Sequence, residues 1–128
     1  MREILFRGKR LDNGEWVYGF YHNETSIESP SSERKITRHH IYTQDFDRFV
    51  IPETIGQYTG LKDKNGTKIF EGDIIKLPNG KNYFVFCGVT SFRYTRNKDY
   101  AKVLDPRDDY EVMGNIHDNP ELLEEVRC

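Results

Sequence analysis

Short runs of alternating apolar and polar residues, interrupted by three Asn-Gly pairs, dominate the pattern of this chain. The pairs are Asn13-Gly14, Asn65-Gly66 and Asn79-Gly80, and each lies between segments rich in β-branched and aromatic residues. Asn and Gly adopt at low cost the positive φ angles that a type I′ turn requires. The pattern therefore predicts three β-hairpins.

The segments that flank and follow these turns have the composition of strands. Many short strands within one small domain are typical of sandwiches and small barrels. The predicted fold class is therefore mainly β, a small barrel or sandwich built from hairpins. The predicted strand segments are residues 4–7, 16–21, 35–43, 56–61, 68–70, 73–77, 83–86, 89–94 and 110–116.

Alternation along these strands also selects the side chains expected in the core. The candidate core residues are Leu5, Trp16, Tyr18, Phe20, Ile55, Tyr58, Ile69, Ile74, Tyr83, Val85 and, from the C-terminal segment, Leu122.

The C-terminal residues carry the clearest helical pattern. Asn119 is a suitable N-cap, Pro120 fits the first helical position, and Leu122 and Leu123 offer an apolar face. A short C-terminal helix of about two turns is expected. A weaker helical pattern at residues 43–49 leaves helix and loop both open.

A chain of 128 residues is expected to form a single domain over residues 1–128. The segment from residue 23 to 34 contains one apolar residue, Ile27, and is predicted to be a mobile loop. No run approaches the roughly 18 apolar residues of a membrane-spanning helix, and no signal peptide is recognised. With two cysteines, Cys87 and Cys128, a reducing cytoplasm is the expected location.

Composition narrows the class of function. Aromatic residues make up 13% of the chain and the net charge is −2, so a disordered chain is excluded. A charge so close to zero provides no global field to attract a polyanion. Any nucleic-acid surface would therefore be a local basic patch.

Three segments resemble the YopX family of bacteriophage and prophage proteins. They are Phe6-Arg7-Gly8-Lys9 with Trp16-Val17-Tyr18-Gly19, the residues 52–66 and 69–75 with Gly56-Gln57-Tyr58-Thr59-Gly60 and Glu71-Gly72-Asp73, and the residues 114–123, which begin Gly114-Asn115-Ile116-His117-Asp118-Asn119-Pro120. The resemblance implies a small phage-encoded cytoplasmic protein without an assigned biochemical activity. It carries no catalytic or binding residues over to this chain.

The chain lacks the recognised motifs of metal binding and nucleophilic catalysis. His39 and His40 are adjacent, so in a strand they point to opposite faces and cannot chelate one ion together. The acidic residues clustered from Asp105 to Glu111 match no calcium loop and include Arg107. We therefore predict no catalytic residue, no metal site and no cofactor.

Glu71-Gly72-Asp73 stands at the start of a predicted strand. Gly72 is expected to permit a bulge or bend, and Asp73 to accept hydrogen bonds from nearby backbone amides.

Two stretches, residues 34–42 and 92–100, combine basic side chains with aromatic or histidine rings. Small β-barrels bind single strands through cationic grooves and stacking rings. The candidate nucleic-acid-binding residues are Arg34, Lys35, Arg38, Arg93, Arg96 and Lys98. In a strand, however, Phe92 and Tyr94 share one face and Arg93 takes the other, which favours rings in the core.

Three hypotheses for function follow. Aromatic residues are enriched at interfaces and sheets leave unpaired edges, so we expect a homo-oligomer that also binds an unidentified host or phage protein, without enzymatic activity. Nucleic-acid binding through the two basic stretches is the alternative. A metal-dependent hydrolase using the acidic loop and the histidines is the second alternative.

Overall fold

The computed structural model describes residues 4–31, 33–43, 46–96 and 101–123. Short strands dominate these ranges, and two 3-10 turns accompany them, Pro52–Thr54 and Pro120–Leu123. The strands are β1 (Phe6–Lys9), β2 (Trp16–Ile27), β3 (Lys35–Tyr42), β4 (Asp47–Phe49), β5 (Gly56–Lys62), β6 (Lys68–Phe70), β7 (Asp73–Lys76), β8 (Asn82–Cys87), β9 (Phe92–Thr95), β10 (Ala101–Val103) and β11 (Glu111–Asn115).

The described residues form two compact units that divide within β5. The N-terminal unit is Ile4–Gln57, and the C-terminal unit begins at Tyr58. The single domain expected over residues 1–128 stays a prediction, because two compact units can unfold either together or separately.

The N-terminal unit is an antiparallel sheet in the order β4-β3-β2-β1, with the first residues of β5 beside β1. β2 and β3 form its longest pair, with eight successive partners from Phe20↔Tyr42 to Ile27↔Lys35. Gly19 is required in this pair, because a Cβ there would collide with the carbonyl oxygen of Tyr42.

The C-terminal unit contains a five-stranded antiparallel sheet in the order β10-β9-β8-β7-β11, together with the β5–β6 hairpin. Its core joins one isoleucine from β6 to side chains of the five-stranded sheet and of the loop that follows β10. The buried members of this cluster are Ile69, Ile75, Val85, Tyr94, Leu104 and Tyr110.

All three predicted Asn-Gly hairpins are confirmed, as β1–β2, β5–β6 and β7–β8. The turns are longer than two-residue type I′ turns, however. The amides of Gly66 and Gly80 donate to the carbonyls of Asp63 and Leu77, three residues earlier, and both glycines have positive φ. In each of these two turns, the left-handed glycine is the fourth residue, as in the three-residue hairpin loop with a bulged Gly that ranks after the two-residue loop in frequency, and Asn precedes the Gly.

The mainly β prediction is confirmed, while a closed barrel and a C-terminal helix are wrong for the described residues. Neither sheet closes on itself, since β4 is an edge strand of the N-terminal sheet, and β10 and β11 are the edge strands of the five-stranded sheet. The last described segment, Pro120–Leu123, makes a 3-10 turn, in which the Leu122 amide donates to the Asn119 carbonyl. The Asn82 side-chain amide donates to the Leu122 carbonyl at 3.0 Å.

The predicted loop at residues 23–34 is shorter than expected. Residues 23–27 belong to β2, where backbone pairing compensates for the shortage of apolar side chains. The hydroxyls of Thr25 and Thr37 lie 3.0 Å apart across this pair.

Among the residues that the structure describes, none belongs to a helix with the length and hydrophobicity of a membrane span.

Two buried aspartates fix turns of the C-terminal unit. Asp63 accepts hydrogen bonds from the backbone amides of Asn65, Thr67 and Val112 at 2.8–2.9 Å. Asp73, which is 2% exposed, accepts from the Phe70 amide at 2.7 Å, as the sequence predicts. Burial opposes ionisation of Asp63, but the three amide bonds outweigh it and hold the pKa of this carboxyl below its ordinary value.

Candidate functional site

One face of the β2–β3–β4 sheet presents four exposed aromatic rings. Phe20 and Tyr42 are direct cross-strand partners, Tyr18 lies two residues before Phe20, and Phe49 lies on β4. Their exposed fractions are 64% for Phe20, 51% for Tyr42, 48% for Tyr18 and 49% for Phe49. We call this set the aromatic face.

The aromatic face corrects the predicted core. Tyr18 and Phe20 are expected to be buried, yet both are exposed, whereas Tyr58, Ile69, Ile74 and Val85 are buried as predicted. Alternation correctly places Tyr18 and Phe20 on one face of β2, but it cannot tell whether that face is covered. The remaining candidates are half-buried, namely Leu5, Trp16, Ile55, Tyr83 and Leu122.

Two cations of β1 extend the same side of the sheet. Arg7 and Lys9 pair with Tyr18 and Trp16 across β1 and β2. Their charged groups lie over the Trp16 ring, at 4.6 Å for Arg7 and 5.5 Å for Lys9. Cations at these distances are attracted by the ring and fix its orientation.

A cluster of two histidines and two carboxylates adjoins the aromatic face. His22 and His40 are cross-strand partners, and their rings stack at 4.5 Å with an angle of 10°. Asp47 of β4 contacts both rings, 3.2 Å from His22 Nε2 and 3.2 Å from His40 Nδ1. Glu24, two residues beyond His22, has a carboxylate oxygen 3.3 Å from His40 Nε2.

Sequence reasoning misses this cluster although it correctly separates His39 from His40. His39 faces the other side of β3, where its Nδ1 lies 2.6 Å from the Tyr21 hydroxyl. The pairing of His40 is with His22, eighteen residues earlier, and only the β2–β3 register reveals it. Asp47 lies on a strand, β4, rather than on a helix or loop.

The predicted basic residues of the N-terminal unit lie around the start of β3: Arg34 precedes the strand, Lys35 begins it, and Arg38 lies within it. Arg34 lies 3.8 Å from the Glu28 carboxylate, and Lys35 is exposed opposite Ile27. Arg38 is exposed on the side of the aromatic face, with its guanidinium 3.5 Å from the Ser26 hydroxyl. Lys35 and Arg38 therefore occupy opposite faces of the strand.

The second basic stretch belongs to the C-terminal unit. Arg93 is half-buried in β9, and Arg96 lies 5.9 Å from the Tyr83 ring. Tyr94, between them, is buried in the core as alternation predicts. Lys98 falls outside the described residues. The binding roles of all six basic residues stay predictions.

The acidic loop is held by its own arginine. The Arg107 guanidinium donates two hydrogen bonds to the Asp105 carboxylate and lowers its pKa to about 2. The Tyr110 hydroxyl accepts a hydrogen bond from the Asp105 backbone amide at 2.9 Å. Burial raises the pKa of the Tyr110 hydroxyl. Asp105 therefore stabilises the loop and its carboxylate already has a cationic partner.

Comparison with known proteins identifies a family and similar solved structures. A model described as "YopX protein" matches residues 5–124. The crystal structure of protein EF1440 from Enterococcus faecalis is similar, with 27% sequence identity, a TM-score of 0.57, and coverage of 97% of this chain and 100% of that one. No curated protein matches.

Proposed function

The chain belongs to the YopX family, and from that premise we propose that it is a non-enzymatic phage-type protein that acts by self-association and protein binding through its aromatic face. The observation that carries this proposal is the set of four rings, each about half exposed or more, on one side of the N-terminal sheet. Family membership supports a phage-type role, and YopX is not a known family of enzymes.

The four rings leave a large apolar area in contact with water. A buried aromatic side chain removes roughly 150–250 Å² from water. Four rings at these exposures leave about 300–500 Å² to be covered, a large part of the roughly 800 Å² that each partner contributes to a standard interface. At about 25 cal/mol per Å², covering this surface supplies several kcal/mol toward association.

A second copy of the chain suits this surface because the same side of the sheet carries both signs of charge. Asp47 and Glu24 lie near the rings, and Arg38 lies across from Glu24 on β3. A two-fold interface apposes the same patch of both copies in reverse, so that an acidic residue of one copy can face Arg38 of the other. We propose a homo-oligomer, with an unidentified host or phage protein as a further occupant.

The test is the solution mass of the wild type and of Phe20→Ser/Tyr42→Ser over a range of concentrations. We expect the wild type to have a multiple of 15.1 kDa, and the double variant to dissociate at concentrations at least tenfold higher. Val103→Ser is the matched control, because Val103 is a similarly exposed apolar residue of the C-terminal unit. A wild type of 15.1 kDa at every concentration, or a double variant with unchanged assembly, would overturn the proposal.

Nucleic-acid binding is the second candidate, and one observation favours it. Arg38 shares the side of the sheet that carries the exposed rings, and a cation beside stacking platforms is how single strands are bound. This candidate predicts affinity for a single-stranded oligonucleotide that falls with salt and with Arg38→Ala, or with Arg93→Ala/Arg96→Ala. Binding that is absent, or that salt and these substitutions leave unchanged, would end it.

A further inference from the structure

We propose that the N-terminal unit binds a divalent transition-metal ion of the zinc type through His22, His40 and Asp47. The three residues lie on β2, β3 and β4, which are neighbours in the sheet. His22 is the direct partner of His40, and Asp47 pairs with Tyr42, two residues beyond His40. Strand alternation therefore places all three side chains on one face. This site does not depend on self-association.

The distances bring the three side chains within reach of one ion once a side chain rotates. The two nitrogen-to-carboxylate separations are both 3.2 Å, from His22 Nε2 to Asp47 Oδ1 and from His40 Nδ1 to Asp47 Oδ2. Donor atoms that share a tetrahedral zinc ion at about 2.0–2.1 Å lie about 3.4 Å apart. One ligand atom from each residue lies within 4.8 Å of the others. The His22 side chain is 47% exposed, so its rotation can close the remaining separation.

His40 supplies the independent observation. Its side chain is 6% exposed, and its Nε2 atom is buried without a well-aligned hydrogen bond. A buried polar nitrogen in that state is costly. The Glu24 carboxylate lies 3.3 Å from Nε2, within hydrogen-bond distance but without the alignment of a hydrogen bond.

Metal binding accounts for this arrangement. A histidine that ligates through one nitrogen usually donates its other N–H to a carboxylate, which fixes the tautomer and orients the ring. His40 would bind the ion through Nδ1, and a small shift would let its Nε2–H donate to Glu24. Glu24 is thus a positioning residue.

The ligand set selects the class of ion. Two imidazole nitrogens and one carboxylate oxygen suit Zn²⁺ and its transition-metal neighbours, whereas Mg²⁺ and Ca²⁺ prefer oxygen ligands throughout. Three protein ligands leave the fourth position of a tetrahedral ion open to water or another ligand.

The test uses calorimetric titration of the full chain with Zn²⁺, and the absorption spectrum of the Co²⁺ form. Every protein carries Cys87→Ser and Cys128→Ser, because Cys87 is an exposed thiol that would bind metal itself. The site variants are His22→Gln and Asp47→Asn, which change exposed side chains and spare the buried His40. Glu24→Gln tests the positioning role, and His39→Gln is the matched control on the opposite face of β3.

We expect one Zn²⁺ per chain, a Co²⁺ spectrum of tetrahedral type, and no competition from Mg²⁺. His22→Gln and Asp47→Asn should each weaken Zn²⁺ binding at least tenfold, and Glu24→Gln about tenfold. His39→Gln should bind as the parent does. Absence of stoichiometric Zn²⁺ binding by the parent, or site variants that bind Zn²⁺ as tightly as the parent does, would overturn the proposal. The solution mass of these proteins tests self-association separately.

Discussion

The two units of this chain differ in whether their apolar side chains are buried or exposed. Among the described residues, the C-terminal unit buries nine, Tyr58, Ile69, Phe70, Ile74, Ile75, Val85, Tyr94, Leu104 and Tyr110, and the N-terminal unit buries two, Ile41 and Val50. Exposure is reversed. The N-terminal unit exposes eight large apolar residues and the C-terminal unit three, Val89, Val103 and Met113.

This contrast separates stability from association. Buried apolar area drives folding, so the C-terminal unit has the larger internal driving force. An exposed apolar patch of several hundred Å² is often functional. The exposed aromatic residues of the N-terminal unit contribute less to the stability of the folded chain than the buried residues of the C-terminal unit do, and they form the surface to which we assign the proposed association.

Substitution of one apolar residue in each unit tests most directly whether the two units differ in how much their apolar side chains stabilise the fold. Ile75 is fully buried, and Ile75→Ala should lower the free energy of unfolding by about 2–5 kcal/mol through lost burial and the cavity left behind. Phe20→Ser should change it by no more than about 0.5 kcal/mol in the dissociated protein, because Phe20 is 64% exposed. Urea denaturation measures both.

Val103→Ala, an exposed apolar truncation in the C-terminal unit, is the control and should behave as Phe20→Ser does. Equal losses from Ile75→Ala and Phe20→Ser would show that the N-terminal face is part of a core, and the comparison would fail.

A somewhat smaller effect is expected at Asp63. In Asp63→Asn an NH₂ group replaces one carboxylate oxygen and faces a backbone N–H that now lacks an acceptor. The loss of hydrogen bonds to a charged acceptor should cost about 1.5–3 kcal/mol at neutral pH. Asp109→Asn, at an exposed loop position, should leave stability unchanged.

The same substitution has a defined pH dependence. Because the pKa of Asp63 in the folded protein lies below its ordinary value of 3.8, its ionised form stabilises the fold above that pH, and the contribution disappears as pH falls through the folded pKa. The stability difference between wild type and Asp63→Asn should shrink on acidification. A difference that stays constant from pH 7 to pH 2 would contradict the assignment.

The smallest expected effect concerns two turn glycines, one in each unit, and it shows whether the units unfold together. Gly14 and Gly66 both have positive φ, +72° and +85°, and a Cβ on either would have no atom within 4 Å. Substitution of either by Ala should therefore cost about 1 kcal/mol through backbone strain alone. If residues 1–128 are one cooperative domain, both variants shift a single transition equally.

The single tryptophan, Trp16, reports on the N-terminal unit by fluorescence, and amide exchange of Ile75 reports on the C-terminal unit. A Trp16 transition that moves with Gly14→Ala but not with Gly66→Ala would show two separate domains.

Local chemistry accounts for what could be predicted. The Asn-Gly pairs mark hairpins because positive φ is needed within the turn itself, and alternation then identifies most strands. The aromatic face could not be predicted, because alternation shows that Tyr18 and Phe20 share a side and not whether anything covers it. The histidine cluster needed the β2–β3 register, since a shift of one residue would separate His22 from His40.

The far end of the β2–β3 pair leaves strand edges without a neighbouring strand in the described structure. Beyond Phe20 the described structure shows no strand other than β3 beside β2, and β4 reaches β3 no farther than His40, so the backbone there has unpaired edges. When an exposed edge strand is flat and its side chains are apolar, strands of other chains add to it and fibrils can grow. Here the segment is polar, with Asn23, Glu24, Thr25 and Ser26 in succession. Open-ended growth by strand addition at this edge is thereby discouraged.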